Sequence, residues 1–265
     1  MTAPGRYVRY LLEGDAEPRF GVLSEYLFDI EELDSDPIRS RAKPTGATAP
    51  VESARLLAPV AAPSKIIGIG KNYADHAREM GGEAPAKPVV FLKAPSSLIG
   101  PKETILRPSW SQDVHYEGEL AVVIGKRAKN IRPDEVDDVV FGYSIANDVT
   151  ARDVQRSDSQ WTRAKGFDTS CPMGPWIVVS PGLEIEDLRV TTRVDGEVRQ
   201  DDTTARMLTG VHELVRYVSE IFTLEPGDVI VTGTPAGVGP LLAGQTVEVS
   251  IDGIGTLSNT VGDAE

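Results

Sequence analysis

Apolar positions along this chain fall mostly into short alternating or solid runs, with one stretch of helical period. Residues 6–12, a Gly14-Asp15 turn and residues 19–23 predict a strand–turn–strand opening. Residues 43–63 are rich in Pro, Ala, Thr and Ser, with Pro44, Pro50, Pro59 and Pro63, and read as a linker after a small N-terminal β region. A buried strand over 64–70 then opens the main part of the chain, which gives expected limits of 1–60 and 61–265. Residues 115–124 become wholly apolar at their end and predict a strand running into a core. Asp195-Gly196 and Asp252-Gly253 sit between apolar alternations and predict two-residue hairpins. Val211, Leu214, Val215, Val218, Ile221 and Phe222 share one helical face, so a helix covers 211–222. Pro226-Gly227 ends that region before a strand over 228–232, and Pro133 suits the first turn of a short helix. Strands outnumber helices without regular alternation, so the class is β-rich α+β rather than a doubly wound sheet. There is no internal repeat and no low-complexity tail.

Charge narrows the partners. The 40 acidic and 27 basic residues of the 265 leave a net charge of −13, with no basic stripe, which argues against nucleic acid. An anionic substrate is repelled by such a field at long range, so a site for an acid must carry its own cations. Cys171 is the single cysteine, which rules out an intramolecular disulfide or a thiolate cage and suits a small buried residue. The first ten residues lack the apolar core of a signal peptide, and no apolar run is long enough to span a bilayer. The expectation is a soluble cytoplasmic protein without a membrane partner.

Candidate chemistry centres on Glu117 and Glu119. Alternation along a strand puts His115, Glu117, Glu119, Ala121 and Val123 on one face. Two carboxylates side by side near a core repel each other and lose hydration, so they need a proton or a cation between them, unless this part of the strand is a solvated edge. Asp148 closes the apolar stretch 142–149 and would complete an all-oxygen set. Such a set suits Mg²⁺ or Mn²⁺, and Ca²⁺ less well. Zinc is disfavoured without Cys or a His pair at ligand spacing. Lys165, in Ala164-Lys165-Gly166-Phe167-Asp168-Thr169, is either a cation aimed at an oxyanion or a surface lysine beside Asp168.

The chain resembles the fumarylacetoacetate hydrolase superfamily over about Lys65 to Val261. The resemblance rests on Gly70-Lys71-Asn72-Tyr73-Ala74-Asp75-His76, Phe91-Leu92-Lys93, Glu117-Gly118-Glu119, the run Asn147 to Asp153, Lys165 to Thr169, and Thr232 to Gly239, in that order. It implies a mixed β-sandwich roll, a divalent metal on Glu117, Glu119 and Asp148, and Lys165 neutralising charge on the substrate. It also implies that His76 and Glu79 activate water on a short mobile segment. The residues give separate support: His76 and Glu79 lie three apart, so one helical turn lets the carboxylate orient the imidazole. Gly81-Gly82 could serve as a hinge. An exposed polar helical turn is the alternative. Thr234 resembles the family's substrate-contacting threonine, and Arg152 and Gln155 are the other candidates for substrate contact. For Arg152, a salt bridge to Asp153 or Asp158 is the competing expectation. His115 is a candidate neighbour of the metal ligands and His212 reads as structural. The glycine-rich 232–239 loop lacks the lysine and spacing of a phosphate loop, so no nucleotide cofactor is inferred. The family also implies a homodimer.

Three carboxylates (−3) and one divalent ion (+2) leave −1, and Lys165 brings the sum to zero. A 2-oxo acid fits because its carboxylate and keto oxygens can chelate together. Bond cleavage beyond C3 then releases a pyruvate-type enolate stabilised by metal and lysine. With water, the reaction is hydrolysis of an acylpyruvate or 2,4-dioxo acid, favoured here because His76 and Glu79 are both present. Decarboxylation of a diacid such as oxaloacetate, or isomerisation of 2-hydroxyhepta-2,4-diene-1,7-dioate in aromatic degradation, is the runner-up. A non-catalytic binding protein on the same scaffold is the reading from another class.

Overall fold

The strand Gly118–Ile124 is buried along its whole length, and the architecture is set by what lies on its two faces. In the computed structural model, which describes residues 4–24 and 26–264, this strand sits inside a large mixed sheet. Residues 1–3, 25 and 265 belong to the expected ranges 1–60 and 61–265, and residues 1–3 to the opening segment, but they lie outside the described residues. The sheet runs Pro44–Pro50, Asp29–Leu33, Arg19–Leu23, Gly5–Leu11, Cys171–Val179, Val140–Asn147, Gly118–Ile124, Val229–Val231, Ile66–Gly70 and Val89–Lys93. Of these neighbours only Ile66–Gly70 and Val229–Val231 pair in parallel. A second sheet of five strands runs Glu197–Thr203, Arg189–Val194, Thr246–Ile251, Gly255–Asp263 and Ile105–Arg107.

The two sheets pack through one apolar layer. Leu120, Val122 and Ile124 meet Val190, Val249, Ile251 and Leu257 there. The helix Val211–Ile221 seals this layer with Leu214, Val215 and Val218. Ala121 and Val123 point the other way, into a second layer with Ile66, Met173, Val229 and Val231. Alternation therefore holds along the strand, with both faces apolar, as expected of a strand covered on each side. The fold is β-rich, with mixed sheets in a sandwich. No helix among the described residues is long and apolar enough to cross a membrane.

Four local expectations change. Pro44–Pro50, which composition reads as linker, is an edge strand on Asp29–Leu33, where proline's missing N–H costs nothing because no further strand follows. The strand at 115–124 is interrupted at Tyr116-Glu117, leaving the short Val114–His115 before Gly118–Ile124. Ile251 faces Gly255, so the second hairpin has a three-residue loop rather than two. Its extra residue, Ile254, is buried and accepts a hydrogen bond from the Trp176 indole at 2.6 Å. Ile221, placed on the apolar helix face by period, is exposed at the last turn.

Candidate active site

The triad is assembled by one antiparallel ladder. Gly118 is paired with Asn147 and Glu119 with Ala146, so Glu117 and Asp148 both emerge at the same end of neighbouring strands. The Asp148 amide donates to Glu117 O at 2.9 Å, and the Glu117 amide to Asn147 Oδ1 at 2.9 Å, which fixes both backbones. Glu117, Glu119 and Asp148 each bring a carboxylate oxygen to within 4.8 Å of the others, and all three are buried.

Cations surround them. Lys165, at the end of the short helix Thr162–Lys165, donates to Glu117 Oε2 and to Asp148 Oδ2, both at 2.6 Å. It is buried, unlike a surface lysine beside Asp168. Arg152 donates to Glu117 and, at 2.8 Å, to Gln155 Oε1. Asp153 is engaged with Ser111 and Gln112, and Asp158 with Arg163, so neither takes the guanidinium. Lys93 ends the strand Val89–Lys93 and donates to Asp148 Oδ1 at 2.7 Å, to Lys165 O, and to Ser170 Oγ at 3.2 Å. The sequence-based charge sum counted Lys165 alone. In the folded site three cations, Lys93, Arg152 and Lys165, stand against the three carboxylates.

Burial alone would push the Glu117 carboxyl up, but Arg152, Lys165 and His76 outweigh it and hold it far below the usual carboxylate range. Burial would likewise lower the Lys165 ammonium, yet Asp148 and Glu117 raise it overall. Glu119 is the opposite case: burial, then Asp148 and Glu117, push it well above its ordinary value. Its one direct donor among the described residues is the Gly233 amide at 2.7 Å. A buried carboxyl raised by two neighbouring carboxylates, within an all-oxygen set, is the environment that a hard divalent cation relieves. The residues fit such an ion.

The short helix Ala74–Glu79 brings His76 to the same place. Its Nε2 lies 4.0 Å from Glu117 Oε1, and its Nδ1 is 3.2 Å from Glu79 Oε2. Glu79 also accepts from the Gly237 amide at 3.1 Å, which ties the helix to the glycine-rich loop. Burial lowers the His76 pKa despite the pull of Glu117 and Glu79, which favours the neutral imidazole. Thr234 donates to Gly118 O at 2.9 Å and accepts from Gln200 Nε2 at 2.7 Å. Gln200 also accepts from the Gly118 amide at 3.0 Å, locking the strand start to the loop. A cavity of about 150 Å³ opens over this arrangement, with His76, Glu117, Glu119, Arg152, Gln155 and Lys165 on its walls. Thr234 reaches it as well. His115 turns instead to Asp113, at 2.7 Å, and His212 pairs with Asp137 at 3.0 Å on the surface.

Two polar residues central to this geometry carried no assigned role in the sequence. Lys93 lies inside a quoted motif, and only the motif marked it. Gln200 sits in a strand of charged residues, where nothing in the local pattern sets it apart.

Comparison with known proteins agrees with this picture. Residues 65–262 match the family described as "Fumarylacetoacetate (FAA) hydrolase C-terminal", and residues 6–59 match "Rv2993c-like, N-terminal". The oxaloacetate tautomerase YisK of Bacillus subtilis is 41% identical over 98% of this chain and 88% of its own length. A 2-hydroxyhepta-2,4-diene-1,7-dioate isomerase structure from Mycobacterium marinum is 41% identical, with TM-score 0.88 over 98% of each chain. A maleylpyruvate hydrolase from Sphingobium sp. SYK-6, in complex with manganese(II) and pyruvate, is 28% identical, with TM-score 0.80 over 98% of this chain and 100% of that one. A buried oxygen triad on one ladder, its lysine, and the match across residues 65–262 agree: the chain belongs to the fumarylacetoacetate hydrolase family of enzymes.

Proposed function

We propose that the protein is a divalent-metal-dependent enzyme that forms and quenches the enolate of a 2-oxo acid. The observation that carries this reading is convergence: His76, Lys165, Glu117 and Glu119 border one small cavity, with Glu79 behind His76 and Asp148 behind Lys165. At about 150 Å³ it is well below the roughly 300–1,000 Å³ of pockets for drug-sized ligands, which favours a small acid. Glu117, Glu119 and Asp148 would hold Mg²⁺ or Mn²⁺, which supplies electrophilic charge for the substrate's oxygens. Arg152 and Gln155 orient the acid from one wall, and Thr234 borders it from the loop.

His76 serves as the base. A carboxylate 3.2 Å from Nδ1 selects the tautomer protonated there, which leaves the Nε2 lone pair for the cavity. In hydrolysis it takes a proton from water, and the hydroxide adds to the carbonyl beyond C3. The bond from C3 to that carbonyl carbon breaks, its electron pair passes into a pyruvate-type enolate, and the other fragment leaves as a carboxylic acid. Lys165 faces the negative charge that develops on the enolate oxygen, and His76 returns the proton to C3.

A second reading is supported by the relative named as an oxaloacetate tautomerase and by the neighbour named as an isomerase. Here His76 moves a proton to or from C3 and no carbon–carbon bond breaks. Loss of CO₂ from oxaloacetate would reach the same enolate. Incubation with Mg²⁺ and a panel of acylpyruvates, oxaloacetate and 2-hydroxydienoates, with the products identified, separates the three. Free pyruvate plus a carboxylic acid is expected for hydrolysis, and conversion of none of the panel sinks the enolate reading.

The reading includes a homodimer. A groove of about 550 Å³ lies beside the edge strand Glu197–Thr203, lined by Tyr116, Val194, Val198 and Leu242, of which Val198 and Leu242 are exposed. A second copy covering it would hide both an open strand edge and apolar surface. A monomer by light scattering at micromolar concentration rejects this.

A further inference from the structure

Lys71 follows the strand Ile66–Gly70 with its backbone in the left-handed region, at φ 56°. A lysine there is strained and persists only where its surroundings over-determine it. The next residue supplies that constraint. Asn72 is buried, donates to Thr209 O at 3.0 Å and Thr232 O at 2.8 Å, and accepts from the Thr209 amide at 2.9 Å. The strained turn therefore delivers the Lys71 side chain to the wall of the active-site cavity.

Four cationic side chains line that cavity, and three are engaged. Lys165 meets Glu117 and Asp148, Arg152 meets Glu117, and Arg156 meets Asp113 at 2.7 Å. Among the described residues Lys71 has no carboxylate and no hydrogen-bond partner, in a chain with 40 acidic residues. Its ammonium lies against Gly82, where an added Cβ would come within 3.0 Å of Nζ, so the absent side chain leaves the ammonium room. The neighbouring wall is apolar, made by Ile69, Met80 and Trp161.

Resting on the enolate reading above, we infer that Lys71 binds a second carboxylate at the far end of the substrate and so selects dicarboxylic 2-oxo acids over monocarboxylic ones. The reacting head of the acid is served by Arg152, Lys165 and the triad. A tail carboxylate reaching the rim meets the one cation of the cavity that the protein leaves unpaired. That charge is the same in ground and transition state, so its loss falls mainly on KM.

The test uses the full chain loaded with Mg²⁺ and reads enzyme-dependent deuterium exchange at C3 of oxaloacetate and of 2-oxobutanoate. The wild type is expected to favour oxaloacetate in kcat/KM by at least about tenfold, the range of a charge-assisted contact. Lys71→Met should collapse that preference by about tenfold to a hundredfold, chiefly through KM, and Lys71→Arg should restore most of it. Circular dichroism checks that both variants fold, and Lys71→Gln provides a second neutral side chain. An unchanged preference in Lys71→Met and Lys71→Gln, or no preference in the wild type, overturns the inference and leaves the enolate reading standing. Exchange of neither acid above the metal-only background overturns that reading and this one with it.

Discussion

Glu119 offers the sharpest single-residue test of the triad, because among the described residues no side-chain cation donates to it while Lys93, Arg152 and Lys165 attend its neighbours. Glu119→Gln should keep the fold and weaken Mg²⁺ binding by about tenfold or more in calorimetry, and unchanged affinity would remove it from the ligand set. If the proposed hydrolysis is the reaction, His76→Ala should abolish it while sparing metal affinity. Glu79→Gln should fall between, since the imidazole loses its orienter but not its basic nitrogen. Hydrolysis near the wild-type rate in His76→Ala would place the base elsewhere. Cys171 is wholly buried, and its thiol is pushed up to about 12 by burial. Native protein should therefore resist iodoacetamide at pH 8 and label only after denaturation, as mass spectrometry would record. Carboxylates beside an apolar run are legible as a candidate site because their burial is costly in any fold. Lys93 is not, since its meaning depends on Asp148, 55 positions along the chain.

Among the elements, the short helix Ala74–Glu79 and the glycine-rich loop act as a pair through the Gly237 amide on Glu79. Gly237 holds φ 99°, and a Cβ there would stand 2.2 Å from Arg199 O. Gly237→Ala should cost about 1–3 kcal/mol of stability and lower turnover by loosening Glu79, both measurable in one thermal and one kinetic assay. Wild-type values in both would show that the loop yields without strain. The Asp195-Gly196 hairpin was legible because both residues take positive φ, as an Asp-Gly turn requires. The 252–254 loop is one residue longer than its Asp-Gly pair predicts, because burial of Ile254 is a tertiary preference that turn chemistry does not express. Edge and linker look alike in composition: Pro44–Pro50 became a strand only because Asp29–Leu33 offered it a free edge.

For the whole molecule, chelation is informative. The three carboxylates already face three cations, so removing the metal should leave the protein folded. An ion held at a hundred times its Kd adds about 2.7 kcal/mol, so EDTA should lower Tm by about 5–10 °C rather than unfold the chain. Collapse at room temperature would show that the cations do not suffice. Sheet class and apolar layers could be read from alternation, whereas strand order could not, because the partners lie so far apart. Gly5–Leu11 pairs with Cys171–Val179, Ile66–Gly70 with Val229–Val231, and Ile105–Arg107 with Val261–Asp263, each more than half the chain apart. During synthesis the chain leaves the ribosome from its N-terminus, at about 5–20 residues per second. The apolar run Ile66–Gly70 then waits for a partner strand that has not yet been made. Nascent chains stalled before residue 229 clears the exit tunnel should be open to protease and held by chaperones, with resistance gained abruptly once Val229–Val231 can dock.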